Sequence, residues 1–174
     1  LGSVTIVTEG ADTTKGKDDD TVTLTFVGDE VLSANSGGGK PACTFTVDGS
    51  AATNADTVLN TGGNTWTCAF DFDSADDDGA VAFSISFDDL AGNAGVAVTA
   101  VSDGSSVTLD DDVPALSSVT IVTDGADTTK GKDDDTVTLT FVGDEALSAN
   151  SGGGKPACTF TVDGSAATNA DTVL

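Results

Sequence analysis

Hydrophobic side chains recur at every second position in short runs along this chain, and Gly- and Asp-rich stretches separate the runs. A period of two places alternate side chains on one face of an extended backbone, so each run reads as a β-strand with one buried face. Val4 and Ile6 mark the first, at residues 3–8; Val22, Leu24 and Phe26 the second, at 20–27; Cys43, Phe45 and Val47 the third. Thr57–Leu59 is a weak fourth. Trp66, Cys68, Phe70 and Phe72 mark the fifth, and Val81, Phe83, Ile85 and Phe87 the sixth. Val96, Val98 and Ala100 begin a seventh, for which Val107 and Leu109 offer a continuation after a Ser-Asp-Gly kink. Turn formers lie between the runs: Asp48-Gly49, Thr61-Gly62-Gly63-Asn64, Asp78-Gly79 and Gly92-Asn93. Seven short strands in about 110 residues predict an all-β, two-sheet sandwich.

The pattern then returns. Residues 1–59 recur as residues 116–174 with three differences in 59 positions: Gly2/Ser117, Glu9/Asp124 and Val31/Ala146. Independent drift does not leave so many positions unchanged, so the chain reads as part of a tandem array. Its period of 115 residues is too long for a solenoid unit and suits a whole domain. The expected domains are residues 1–113, a complete repeat, and residues 114–174, the N-terminal half of the next. Half a sandwich cannot bury its hydrophobic face, and the chain opens on Leu, so the expectation is a window on a longer repetitive polypeptide. Completion of the half repeat by another chain, through strand donation, is the alternative.

Cys43 and Cys68 share the inward parity of their strands, and Cys158 repeats Cys43, with the counterpart of Cys68 falling beyond Leu174. A Cys43–Cys68 disulfide against the core beside Trp66 implies an oxidising, extracellular compartment. Two buried free thiols are the other reading of the same pair.

Composition adds exclusions. The 174 residues carry 29 acidic against 6 basic side chains, a net charge of −23, with every base Lys and no His. Without His there is no Ser-His-Asp or Cys-His machinery and no His-rich zinc site. So negative a chain repels a phosphate backbone and an anionic membrane surface, so neither nucleic acid nor membrane is expected as a partner. No apolar run approaches the roughly 18 residues of a membrane-spanning helix. The β-branched and aromatic content, within 38% hydrophobic residues, argues for a folded chain and not an acidic disordered tail. Paired carboxylates could serve a glycosidase in principle, but one Trp and no Tyr offer no sugar-stacking platform, so no enzyme is expected. Gly37-Gly38-Gly39-Lys40 lacks phosphate-loop spacing and precedes Pro41, so it reads as a flexible loop with Lys40 offsetting local acid. An EF-hand begun at Ser74 places Asp76, Asp78 and Gly79 correctly but meets Ile85 at its last ligand position, which rejects it.

The segments DTVTLTFVGDEALS, CTFTVDG, NTGGNTWTCAFDF, DGAVAFSISFDDLAGNAG and VTAVSDGSSVTLDDDVP together resemble the bacterial Ig-like repeats strung along large adhesins and surface proteins. The DLAGNAG turn and the Asp-rich, Pro-ending linker carry the resemblance most specifically. It departs from the usual pattern in its cysteine pair and in Asp110-Asp111-Asp112-Val113-Pro114, where a mixed Asp-Lys-Thr linker is common. The resemblance implies a seven-stranded Ig-like β-sandwich in tandem array, here one complete repeat and about half of the next, at the cell surface.

The acidic clusters are the sharpest chemical candidates. In a seven-stranded antiparallel sandwich, the linker (Asp110, Asp111, Asp112, Pro114) leaves at the pole of the first-second and fifth-sixth loops. Those loops carry Asp18 and Asp20, and Asp73, Asp76 and Asp78. The facing pole of the next repeat offers Asp144 and Glu145, together with the counterpart of the Asp88, Asp89, Asn93 turn. Calcium takes about six to eight hard oxygen ligands from such loops, so Ca²⁺ is the expected cofactor, bridging and stiffening the joint; the resemblance agrees, since some adhesin repeats are rigidified by calcium. A merely solvated face, or adaptation to high salt, explains the same charge. The functional expectation is a non-catalytic extracellular structural protein, a stalk or self-assembling surface fibre whose partners are further copies of its own repeat. A ligand-binding adhesin module and an accessory domain of a secreted hydrolase are the rivals.

Overall fold

The computed structural model describes residues 1–9, 12–34, 40–54, 57–148 and 156–167; the Gly37–Gly39 loop lies outside them. The chain is all-β, with several sheets and no helix among the described residues. It divides into two compact units, Leu1–Asp112 and Val113–Leu174, where the sequence suggested 1–113 and 114–174.

The first unit holds β1 (Ser3–Thr8), β2 (Lys15–Gly16), β3 (Thr21–Val27), β4 (Ala42–Val47), β5 (Ser50–Ala51), β6 (Thr57–Gly62), β7 (Thr65–Asp71), β8 (Gly79–Ser86) and β9 (Thr108–Leu109). One sheet runs β1-β3-β7-β6 and the other β2-β9-β8-β4-β5. β2 and β9 pair in parallel, and the remaining pairs are antiparallel.

Alternation decides which residues meet. Val22, Leu24 and Phe26 of β3 are fully buried, while the threonines between them are half-exposed. In the β3–β7 register Leu24 lies opposite Cys68 and Phe26 opposite Trp66. The second sheet contributes Phe45, Val47, Ile85 and Leu109 to the same core. Phe70 joins the aromatic contacts, with ring centroids 4.6 Å from Phe45 and 5.3 Å from Phe72. Burying each of these large side chains stabilises the unit by about 1.5–3 kcal/mol. The disulfide Cys43–Cys68 ties β4 to β7 and so crosses between the sheets, with Cα atoms 6.3 Å apart.

The fourth strand is longer than its weak signal, running Thr57–Gly62, and the seventh is shorter. Val98 makes only an isolated bridge to Ile85, and regular pairing resumes at Thr108–Leu109. The cause lies between them. Asp103 accepts the N–H of Ser105 at 3.0 Å, and Gly104 takes a left-handed φ of 77°, so the chain turns away from β8. It turns towards β1, where Ser102 Oγ accepts the N–H of Val4 and Ser105 Oγ that of Ile6, each at 2.9 Å. Two serines thereby occupy the donors of an edge strand that would otherwise invite another chain.

The second unit holds β10 (Leu116–Thr123), β11 (Val137–Gly143), β12 (Thr161–Val162) and β13 (Ser165–Ala166). The β10–β11 register, Val119 opposite Phe141 and Ile121 opposite Leu139, repeats Val4 opposite Phe26 and Ile6 opposite Leu24. Burial does not repeat. Ile6 is 3% exposed and Ile121 60%; Val22 is 0% exposed and Val137 44%. The sequence and pairing are the same, but nothing among the described residues of this unit does the covering that β7 and the second sheet do in the first.

Candidate functional site

The chain leaves the first unit through Asp110 and Asp111. The Asp110 N–H donates to the Gly16 carbonyl at 2.9 Å, and its carboxylate pairs with the Lys15 ammonium. The Asp111 N–H donates to Asp78 Oδ1 at 3.0 Å, and Asp111 Oδ1 accepts the N–H of Asp18 at 3.1 Å. Three of the acids singled out from sequence, Asp18, Asp78 and Asp111, therefore do meet at one place. They meet through backbone-to-carboxylate hydrogen bonds, which charge makes stronger than neutral ones. Asp112 and Pro114 are exposed beyond this point.

The other acids of the cluster serve their own loops. Asp20 accepts the Lys17 N–H at 3.0 Å and closes a turn in which Asp19 has a φ of 68°. Left-handed backbone is uncommon for residues other than Gly, and Asp is among those that tolerate it best. The second copy repeats the turn, with Asp134 at a φ of 72° and Asp135 accepting the Lys132 N–H at 3.0 Å. Asp76 accepts the N–H groups of Asp73 at 3.2 Å and Thr53 at 3.0 Å, while Asp73 accepts that of Ala75 at 2.9 Å. Asp19 and Asp20, Asp134 and Asp135, and Asp73 and Asp76 thus shape turns. Lys40, expected to offset local acid, donates to the Val58 carbonyl at 2.9 Å.

The chain enters the second unit at Ala115. Its N–H donates to Asp144 Oδ1 at 2.8 Å, and the Asp144 N–H returns a bond to the Ala115 carbonyl at 2.9 Å. Glu145 follows, half-buried. In the first unit the corresponding loop is tied to the Asp88–Asn93 turn. Ser33 donates its N–H to the Asp88 carbonyl at 2.9 Å, and Leu32 bridges Asp89. Asp89 closes that turn by accepting the N–H groups of Ala91 and Asn93, both at 2.8 Å, and the Asn93 side-chain amide at 2.7 Å. The Asn93 side chain, then its backbone, hold the Asp89 carboxyl below its ordinary range. The Ser105 hydroxyl and amide do the same for Asp103, and those of Thr14 for Asp12.

Among the described residues no group of three or more acids or cysteines is arranged to hold a metal ion. The carboxylates of Asp20, Asp76, Asp78, Asp111 and Asp144 each already engage a backbone N–H. The reciprocal Ala115–Asp144 clamp and the Ser102 and Ser105 plug were not visible from sequence. A short Asp or Ser beside a chain crossing is their sole trace, and it is shared with ordinary turns.

Comparison with protein-family models, with curated proteins and with solved structures finds no match.

Proposed function

We propose that this chain is a piece of a non-catalytic, extracellular repeat array, a stalk or surface fibre, in which each Ig-like module is held to the next by a clamped linker. The observation that carries this reading is that the backbone is hydrogen-bonded to a unit at Asp111 and again at Ala115, which leaves a tether of Asp112, Val113 and Pro114. So short a tether, with Pro fixing one φ, restricts the freedom of the joint.

Strand order supports the Ig-like part. With β1, β3, β4, β6, β7, β8 and β9 numbered as seven strands, one sheet reads first-second-fifth-fourth and the other seventh-sixth-third. That is the order of Ig-like sandwiches. The disulfide between third and fifth strands differs from the second-to-sixth bridge of antibody domains. An oxidising, cell-surface setting fits a disulfide in the core. Near-identical copies suit a spacer better than a receptor, whose binding surface must be unique. In this reading calcium, where it binds, adds to the clamps and does not create them.

Small-angle scattering on a chain of three complete repeats tests the proposal. A maximum dimension that grows by a full module length per repeat, and contracts when Asp78 and its counterparts become Ala, supports a clamped array. A flexible-chain profile unaffected by the substitution overturns it. Calcium is decided by melting the same chain in EDTA, in millimolar Ca²⁺ and in molar NaCl. A rise that NaCl cannot reproduce requires specific sites, whereas equal rescue by NaCl means screened repulsion.

A further inference from the structure

In the first unit the opening and closing segments lie side by side and run in the same direction. The Val4 N–H donates to Ser102 Oγ at 2.9 Å, and the Ser102 N–H donates to the Val4 carbonyl at 2.8 Å. The Ile6 N–H follows on Ser105 Oγ at 2.9 Å. Further along, the Thr108 N–H donates to the Thr14 carbonyl and the Asp110 N–H to the Gly16 carbonyl, both at 2.9 Å, in the parallel pairing of β2 with β9. The Lys15 ammonium pairs with the Asp110 carboxylate, and the Asp18 N–H donates to Asp111 Oδ1 at 3.1 Å. Residue numbers therefore rise together in the two segments, from Val4 beside Ser102 to Asp18 beside Asp111. Val4 and Ile6 on one side of this seam, and Val107 and Leu109 on the other, are buried in the core, so packing anchors both segments.

Direction decides what this seam resists. A pull on the two ends of the unit acts on the opening segment at Leu1 and on the closing segment at Asp112. Because the segments are parallel, those points sit at opposite ends of the seam, and the pull slides one segment lengthwise past the other. The bonds from Val4–Ser102 to Asp18–Asp111 are then strained together; antiparallel segments would instead be peeled apart bond by bond. Forced unfolding is governed by the unfolding rate, so bonds that must break together at the barrier set the resistance, whatever the equilibrium stability of the unit. We propose that the seam between residues 4–18 and 102–111 is a shear clamp, the element of the unit that bears load when the chain is stretched. The inference rests on the stalk reading above for the source of the load and adds to it the residues that carry that load. The Cys43–Cys68 bond lies outside both segments, so it does not bridge the seam; it limits how far the chain extends once the seam has parted.

Single-molecule stretching of the 174-residue chain tests the clamp. Handles at Leu1 and Leu174 load the seam in shear, whereas handles at Leu1 and the exposed Thr99 peel it from the Val4–Ser102 end. The event of the first unit is identified by its length, since loss of the disulfide frees 25 positions and lengthens it by about 80–90 Å. The force at which the unit yields is expected to be at least about twofold higher in shear than in peeling. Ser102→Ala with Ser105→Ala, and separately Asp110→Ala at the exposed end of the seam, lower the shear force by about a third or more. Val47→Ala, in β4 and outside both segments, lowers stability to urea and leaves the shear force unchanged. Equal forces in the two directions, or a shear force that follows urea stability wherever the substitution lies, overturn the proposal. Three complete repeats held by their ends separate the two readings. Repeated events of equal length, together with equal forces in shear and peeling for the 174-residue chain, overturn the clamp and leave the array standing; absence of any repeated event overturns both.

Discussion

Asp144 and Ala115 hold each other by two hydrogen bonds, the Ala115 N–H to Asp144 Oδ1 at 2.8 Å and the Asp144 N–H to the Ala115 carbonyl at 2.9 Å. The first copy has Asp29 at the same repeat position. Asp144, one of the expected calcium ligands, also holds the backbone at Ala115.

Removing that carboxylate frees the linker without touching a core. Asp144→Ala is expected to speed hydrogen exchange at the Ala115 amide by about threefold to tenfold, the worth of one hydrogen bond. Asp144→Asn, which keeps an acceptor oxygen, recovers most of the protection. Exchange measured by NMR at that one amide decides the matter, and an unchanged rate in Asp144→Ala shows that the clamp does not persist in solution.

The two copies permit the same substitution to be made in two environments. Ile6→Ala removes a side chain that is 3% exposed, and Ile121→Ala one that is 60% exposed in an otherwise equivalent pairing. The first is expected to cost about 2–5 kcal/mol and the second less than about 0.5 kcal/mol. Trp66 is the chain's single Trp and is buried in the first unit, so its fluorescence during urea denaturation reports that unit alone. Equal costs for Ile6→Ala in that signal and for Ile121→Ala in exchange at β10 show that the second copy finds a cover in solution.

These contrasts show what the sequence can and cannot reveal. Period-two alternation located the long strands because burying Val22, Leu24 and Phe26 requires that spacing. The two-residue strands Lys15–Gly16 and Ser50–Ala51 were missed because two residues carry no period. The seventh strand was drawn too long because Val96, Val98 and Ala100 alternate correctly, yet the Asp103-Gly104-Ser105 turn sends the chain to β1. The structure brings Asp18, Asp78 and Asp111 together through backbone N–H groups, a role that sequence spacing does not reveal. An aspartate that accepts backbone N–H groups in a turn and one that ligates calcium have the same letter at the same spacing. Only geometry tells them apart.

Acid should open the Asp88–Asn93 turn in a defined direction. The Asp89 carboxyl is held below its ordinary value of 3.8, first by the Asn93 side chain and then by the Asn93 backbone. A folded-state pKa depressed below the unfolded one stabilises the turn fully at pH above the unfolded value, and the contribution is lost as pH falls through the folded one. Between pH 7 and about 5 the turn is therefore expected to hold, and below the ordinary value of 3.8 to loosen. An NMR titration of the Asp89 carboxyl carbon reads this directly. Asn93→Ala should move its midpoint up towards 3.8, and a midpoint already there in the unaltered chain contradicts the turn geometry.

The disulfide gives the largest expected effect. Cys43 and Cys68 lie 25 positions apart, and releasing the unfolded ensemble from that closed loop lowers the unit's stability by about 3 kcal/mol in the chain-entropy account. For a unit of this size that corresponds to a melting temperature lower by roughly 10–20 °C in the Cys43→Ala, Cys68→Ala double variant. Both sulfurs lie in the core, with Cys68 fully buried, so a reductant has no path to them while the unit is folded. Millimolar dithiothreitol in native buffer should leave the Trp66 melting curve unchanged for hours, whereas the same reductant added in urea should lower the refolded protein's curve to that of the double variant. Rapid reduction without denaturant would mean that the two sheets open readily around β4 and β7, and the pin would then contribute little to the resistance of a stalk.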